Sequence, residues 1–125
     1  RRPMGLLEYL DYTTHNEEGL SSNNTSYQGR IVAHYQELVD IFGESAEGDQ
    51  YKVDAQWIVL IHAGSVALQE DAHFPLIATI YNYKDGVNYC GAEGKPVEYI
   101  TDWHVGGRRK KSLTYVQQIL DEARK

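Results

Sequence analysis

The stretch Val53-Asp54-Ala55-Gln56-Trp57-Ile58-Val59-Leu60-Ile61 alternates, with Val53, Ala55, Trp57, Val59 and Ile61 on one side and Asp54, Gln56, Ile58 and Leu60 on the other. A period of two is the repeat of a β-strand, and apolar residues on both sides toward its end mark a central strand. Leu76 to Tyr83 repeats the pattern, with Ile77, Thr79, Tyr81 and Tyr83 opposite Leu76, Ala78, Ile80 and Asn82. These two strands are expected to pair through the loop from about His62 to His73. A third alternating run, Tyr99 to Val105, sets Tyr99, Thr101, Trp103 and Val105 against Ile100, Asp102 and His104.

Working outward, Gly29 to Ala33 reads as a short strand, followed by Tyr35, Leu38, Val39 and Phe42 at i, i+3, i+4 and i+7. That spacing puts four apolar residues on one helical face, and Gly43 suits a helix end, so a helix is expected at about His34 to Phe42. Beyond Gly106 and Gly107, residues Leu113, Val116, Ile119, Leu120 and Ala123 form the stripe of a final helix at about Ser112 to Arg124. The order strand, helix, three strands, helix packs most simply as an α+β two-layer sandwich. It predicts an antiparallel sheet of about four strands with two main helices on one face.

Toward the N-terminus the pattern weakens. Leu6, Leu7 and Leu10 suggest a short helix over Gly5 to Tyr12, and the stretch from Thr13 to Tyr27 is rich in Thr, Asn, Ser, Glu and Gly. Residues 1–27 are therefore expected to form a flexible N-terminal segment, with one domain over 28–125. Arg1-Arg2-Pro3 ahead of Met4 reads as a cloning remnant.

The whole chain has 125 residues, the size of one domain, with 18 acidic and 12 basic residues and a formal charge of −6. That balance opposes direct nucleic-acid binding unless the basic residues cluster, although it also suits a nucleic-acid mimic. Cys90 is the single cysteine, which rules out an internal disulfide and points to a reducing, cytoplasmic setting. No apolar run approaches the roughly eighteen residues of a membrane span. His15, His34, His62, His73 and His104 lack paired metal-ligand spacing, so no metal or other cofactor is expected.

Two stretches could carry chemistry. In Tyr81-Asn82-Tyr83-Lys84-Asp85-Gly86-Val87-Asn88-Tyr89 the rings of Tyr81, Tyr83 and Tyr89 can stack on a flat ligand, and Asn82, Lys84 and Asn88 can orient it. The same residues also suit a half-buried sheet face followed by a turn. In Asp102-Trp103-His104-Val105-Gly106-Gly107-Arg108-Arg109, Asp102 and His104 share a strand face, near enough for a carboxylate to orient an imidazole. No nucleophile can be assigned to complete a hydrolase, and the residues favour a paired surface or structural histidine. The two glycines, the basic run and the following helix start form either an anion site or an ordinary strand-to-helix turn.

Four blocks in order, Tyr35–Glu44, Asp49–Trp57, Ala78–Lys84 and Thr101–Gly107, resemble a family of small phage- and prophage-type proteins. The resemblance spans about Gln28 to the C-terminus. The polar segment before Gln28 and the stretch His62 to His73 depart from it. It implies a protein that acts on host machinery, by blocking a defence protein or by sequestering a signalling nucleotide. On that basis the leading expectation is a non-enzymatic inhibitor of a host protein, working in the host cytoplasm through its sheet face and the Lys84 to Tyr99 loop. The alternatives are a nucleotide binder with Arg108 and Arg109 on the phosphates, and a small hydrolase using Asp102 and His104. Self-association stays open.

Overall fold

The computed structural model describes residues 10–48, 51–63 and 75–125. It is an α+β fold built on one antiparallel sheet of five strands: β1 (Leu10–Thr14), β2 (Ser26–Val32), β3 (Gln56–Ala63), β4 (Leu76–Tyr81) and β5 (Asp102–Gly107). Across the sheet the order is β1-β3-β4-β5-β2, so β1 and β2 form the two edges. Among the described residues, the helices are α1 (Tyr35–Phe42), the single turn α2 (Val87–Cys90) and α3 (Lys111–Ala123). Among the described residues, no helix is long and apolar enough to cross a membrane.

Register decides which side chains meet. Trp57 lies opposite Ile80, Val59 opposite Ala78, and Ile61 opposite Leu76. On the far side Ile80 faces Val105 and Trp103 faces Ile31. Partners across an antiparallel ladder point to the same face, so these residues make one apolar surface. Leu38 and Phe42 of α1 and Val116, Ile119 and Leu120 of α3 complete the same core.

The two tryptophans fasten α1 at both ends. Trp57 Nε1 donates to the Gly43 carbonyl at 2.8 Å, just past the helix, and Trp103 Nε1 donates to Ala33 at 3.0 Å, just before it. Both indoles are buried and their rings meet edge to face at 5.4 Å. Each thus fills core volume while satisfying its one polar atom, which a buried indole needs. Gly43 ends α1 at a positive φ of 87°, in keeping with the sequence pattern.

Two expectations are corrected. The sheet has five strands rather than four, because Leu10–Thr14 is an edge strand paired with β3. No helix therefore occupies Leu10 to Tyr12, while Leu6 and Leu7 lie outside the described residues. Part of the polar lead-in over 1–27 accordingly joins the sheet: Leu10 and Thr14 are buried, and Asn16 Nδ2 donates to the carbonyls of Phe42 and Glu44 behind α1. The second correction concerns Gly106 and Gly107, which belong to β5 rather than to a turn. Most of the link expected between β3 and β4 falls outside the described residues.

Candidate functional site

The helices cover one face of the sheet. On the other, register builds a row across the strands: Arg30 of β2 lies opposite His104 of β5, and His104 lies opposite Tyr81 of β4. Tyr27 and Tyr83 flank it. The His104 ring stacks on Tyr81 at 5.4 Å with 28° between planes, and meets Tyr27 at 5.3 Å and Tyr83 at 5.7 Å. Tyr27, Arg30, Tyr81, Tyr83 and His104 line a cleft of about 540 Å³. That volume lies in the range of small-ligand sites, roughly 300–1,000 Å³.

Gly106, on the same strand face as His104, leaves room beside Tyr81. A Cβ there would stand 2.6 Å from Thr79 Oγ1 and 3.5 Å from the Tyr81 ring, so only glycine lets these side chains lie across the strand. Gly107 points to the opposite face and is closed over by Ser112 of α3, whose hydroxyl donates to the Ile77 carbonyl at 2.9 Å. Both glycines serve close packing within the sheet.

Electrostatics leave the centre of the cleft neutral. Burial, and then the Arg30 guanidinium, lower the His104 pKa below its ordinary value, with Asp102 and Asp85 pulling the other way. Burial and the guanidinium both favour the neutral imidazole over the charged form. Its Nδ1 is buried with no hydrogen-bond partner among the described residues. Burial raises the Tyr81 pKa, so its hydroxyl keeps its proton. Arg30 donates from Nη1 to Asp102 Oδ2 at 2.8 Å, with both side chains about half exposed at 55% and 51%. Hydrogen bonding to Tyr27, and then the charge of Asp102, hold that guanidinium more firmly protonated.

Tyr81, Tyr83 and His104, read from two separate stretches of sequence, come together here, joined by Tyr27 and Arg30, which sequence reading did not single out. Asp102 shares their face but its carboxylate pairs with Arg30. Trp103 lies on the opposite, buried face and belongs to the core. Arg108 and Arg109 follow the end of β5, and Arg108 donates to the Asn23 carbonyl at 3.4 Å. In the first turn of α3 the Ser112 and Leu113 amides already bond to the Arg109 and Lys110 carbonyls. The basic run packs along β2 next to Tyr27, where Lys110 Nζ donates to the Gln28 carbonyl at 3.0 Å, but it is not among the described residues that line the cleft.

Asn82 is committed internally. It is 0% exposed; its Oδ1 accepts from the Asp54 and Ala55 amides at 2.7 and 3.1 Å, and its Nδ2 donates to Asp54 and Asp85 at 3.0 Å each. Asp54 in turn accepts from the Asn88 amide at 3.1 Å. This bracket ties the approach to β3 to the end of β4 and to α2, and so fixes where Tyr83, Lys84 and Tyr89 emerge. Lys84 Nζ lies over the Tyr83 and Tyr89 rings at 5.3 and 5.5 Å, and Tyr89 meets Tyr51 at 5.3 Å. An exposed band of rings and cations therefore runs on from the cleft. Cys90 Sγ donates to the Lys84 carbonyl at 3.2 Å.

Compared with known proteins, the chain matches no family model, no curated protein and no solved structure.

Proposed function

We propose that the chain is a binding protein whose open sheet face takes a flat, anionic ligand of the nucleotide class. The observation that carries this reading is the row Arg30, His104 and Tyr81 flanked by Tyr27 and Tyr83. Neutral rings offer stacking worth about 1–3 kcal/mol per base. Arg30 is the cation beside them. Its pair with Asp102 is open to water and screened, so exchanging that carboxylate for a phosphate costs little. Arg30 takes the role that the sequence reading gave to Arg108 and Arg109.

Catalysis has less support. The Asp102 carboxylate is engaged by Arg30, and among the described residues neither a serine nor a cysteine lines the cleft.

The test is a thermal-shift and calorimetric screen against linear and cyclic nucleotides and ADP-ribose. A ligand at a hundred times its dissociation constant adds about 2.7 kcal/mol of stability. Tyr83→Ala and Arg30→Gln are expected to weaken binding at least tenfold, with Arg108→Gln/Arg109→Gln unchanged. A panel that leaves the melting temperature flat at saturating concentration defeats this reading.

A second reading, a protein partner, draws on the band beyond the cleft. Tyr51, Tyr83 and Tyr89 are exposed aromatics beside Lys52 and Lys84, and such residues dominate interface hot spots. With the phage resemblance, this is the host-defence inhibitor, acting in the host cytoplasm. Tyr51→Ala and Tyr89→Ala separate the two readings, because they should release a protein partner and leave nucleotide affinity intact.

A further inference from the structure

We infer that a second cleft, between α1 and α3 on the helical side of the sheet, binds an organic ammonium ion with Glu122 as its anionic anchor. The cleft measures about 590 Å³ and is lined by Tyr12 of β1, Asp40 and Ile41 of α1, Ile119 and Glu122 of α3, and Lys125. It lies across the sheet from the Arg30 and His104 row and does not depend on the nucleotide reading.

The Glu122 side chain is only 7% exposed. Among the described residues, neither of its carboxylate oxygens has a hydrogen-bond partner. Lys125 Nζ stands 3.5 Å from Oε2, close enough to count as an ion pair but without hydrogen-bond geometry. Geometry is the better guide to strength here, because a carboxylate withdrawn from water needs donors as well as a nearby charge. The Lys125 side chain is 56% exposed and can leave without disturbing the core.

The chemistry of the walls selects the ligand. Among the described lining residues, two carboxylates against one lysine leave a net negative charge, and Ile41, Ile119 and the Tyr12 ring give an apolar side. A hard metal ion would need about six to eight oxygen ligands, and among the described residues no three metal-capable side chains gather. An ammonium group on a short hydrocarbon meets both demands: its N–H donors reach the Glu122 oxygens and its alkyl body covers the apolar wall. Lys125 already holds such a group at the mouth and acts as a competitor for the ligand.

The experiment titrates the full chain with hexylammonium chloride by NMR and calorimetry, using 1-hexanol as the neutral match. Saturable binding of the ammonium is expected, weakened about ten- to a hundredfold by Glu122→Gln, the range lost with a charge-assisted hydrogen bond. Lys125→Ala should bind more tightly, and because it leaves the buried carboxylate in place it tests the site even if Glu122→Gln fails to fold. The inference is overturned if wild type shows no saturable binding at millimolar hexylammonium. Equal binding by 1-hexanol, or a Lys125→Ala variant that binds no better than wild type, also overturns it.

Discussion

Replacing Asn82 by alanine removes the one side chain that satisfies two backbone amides and touches two carboxylates at the end of β4. The Ala55 amide is buried and the Asp54 amide partly so; leaving both without an acceptor costs about 1–3 kcal/mol each. Loss of the donors to Asp54 and Asp85 adds less, since water can reach those carboxylates. The expected destabilisation is about 3–5 kcal/mol. With a urea slope near ~1.5 kcal/mol/M, the unfolding midpoint should fall by about 2–3 M. Asn82→Asp sharpens the test, because it keeps the acceptor but sets a third carboxylate against Asp54 and Asp85. Its folded state should take up a proton more readily than the unfolded chain, so its deficit should shrink as the pH falls, while that of Asn82→Ala stays nearly constant. A midpoint for Asn82→Ala within about 0.5 M of wild type, or an Asn82→Asp variant as stable as wild type at pH 7, would refute the bracket.

Further outcomes follow from the packing and the charges. Gly107→Ala drives a methyl group into Ser112 and should cost about 1–3 kcal/mol in chemical denaturation, whereas Gly19→Ala, with open space around it, should stay within about 0.5 kcal/mol of wild type. The lowered His104 pKa means that the unfolded chain binds the proton first. Stability is therefore full above the unfolded value of 6.5 and is lost as the pH falls through the lower folded value. Unfolding measured from pH 7.5 to 5 should show a steeper loss for wild type than for His104→Gln, and equal slopes would contradict the burial of that ring. Glu37 is held below its ordinary pKa, first by hydrogen bonding from Arg124, which donates to it at 2.7 and 2.9 Å. Its contribution is present above 4.5 and is lost as the pH drops through the lower folded value. Because Arg124 is 40% exposed, Glu37→Gln should cost only about 1 kcal/mol or less at pH 7, diminishing with added salt, by thermal melts.

Sequence alone determined the elements whose signal is local. The alternation around Trp57 and in Leu76 to Tyr81 identified β3 and β4 and their pairing. The helical spacing of Tyr35 to Phe42 with Gly43 placed α1, and the stripe from Leu113 to Ala123 placed α3. Each pattern repeats within a few residues, so the chain displays it before it folds. Tyr81, Tyr83 and His104 were legible for the same reason, as aromatic and ionisable residues on alternating strands.

Tertiary structure alone decided the rest. β1 has little pattern of its own and is a strand because Leu10 to Thr14 lie along β3, with Tyr12 opposite Ile61 nearly fifty residues away. Arg30 and Tyr27 enter the site through the β2–β5 register, which also turns Trp103 to the core and His104 to the open face. Asn82, read from its neighbours as a ligand contact, was claimed by Asp54, Ala55 and Asp85. Gly106 and Gly107 looked like a turn, yet they lie in a strand where side chains from both faces leave no room for a Cβ. Propensity and periodicity act between near neighbours, whereas register, burial and hydrogen-bond partners depend on segments far apart in the chain, and these set which of its polar and aromatic groups remain free to meet a ligand.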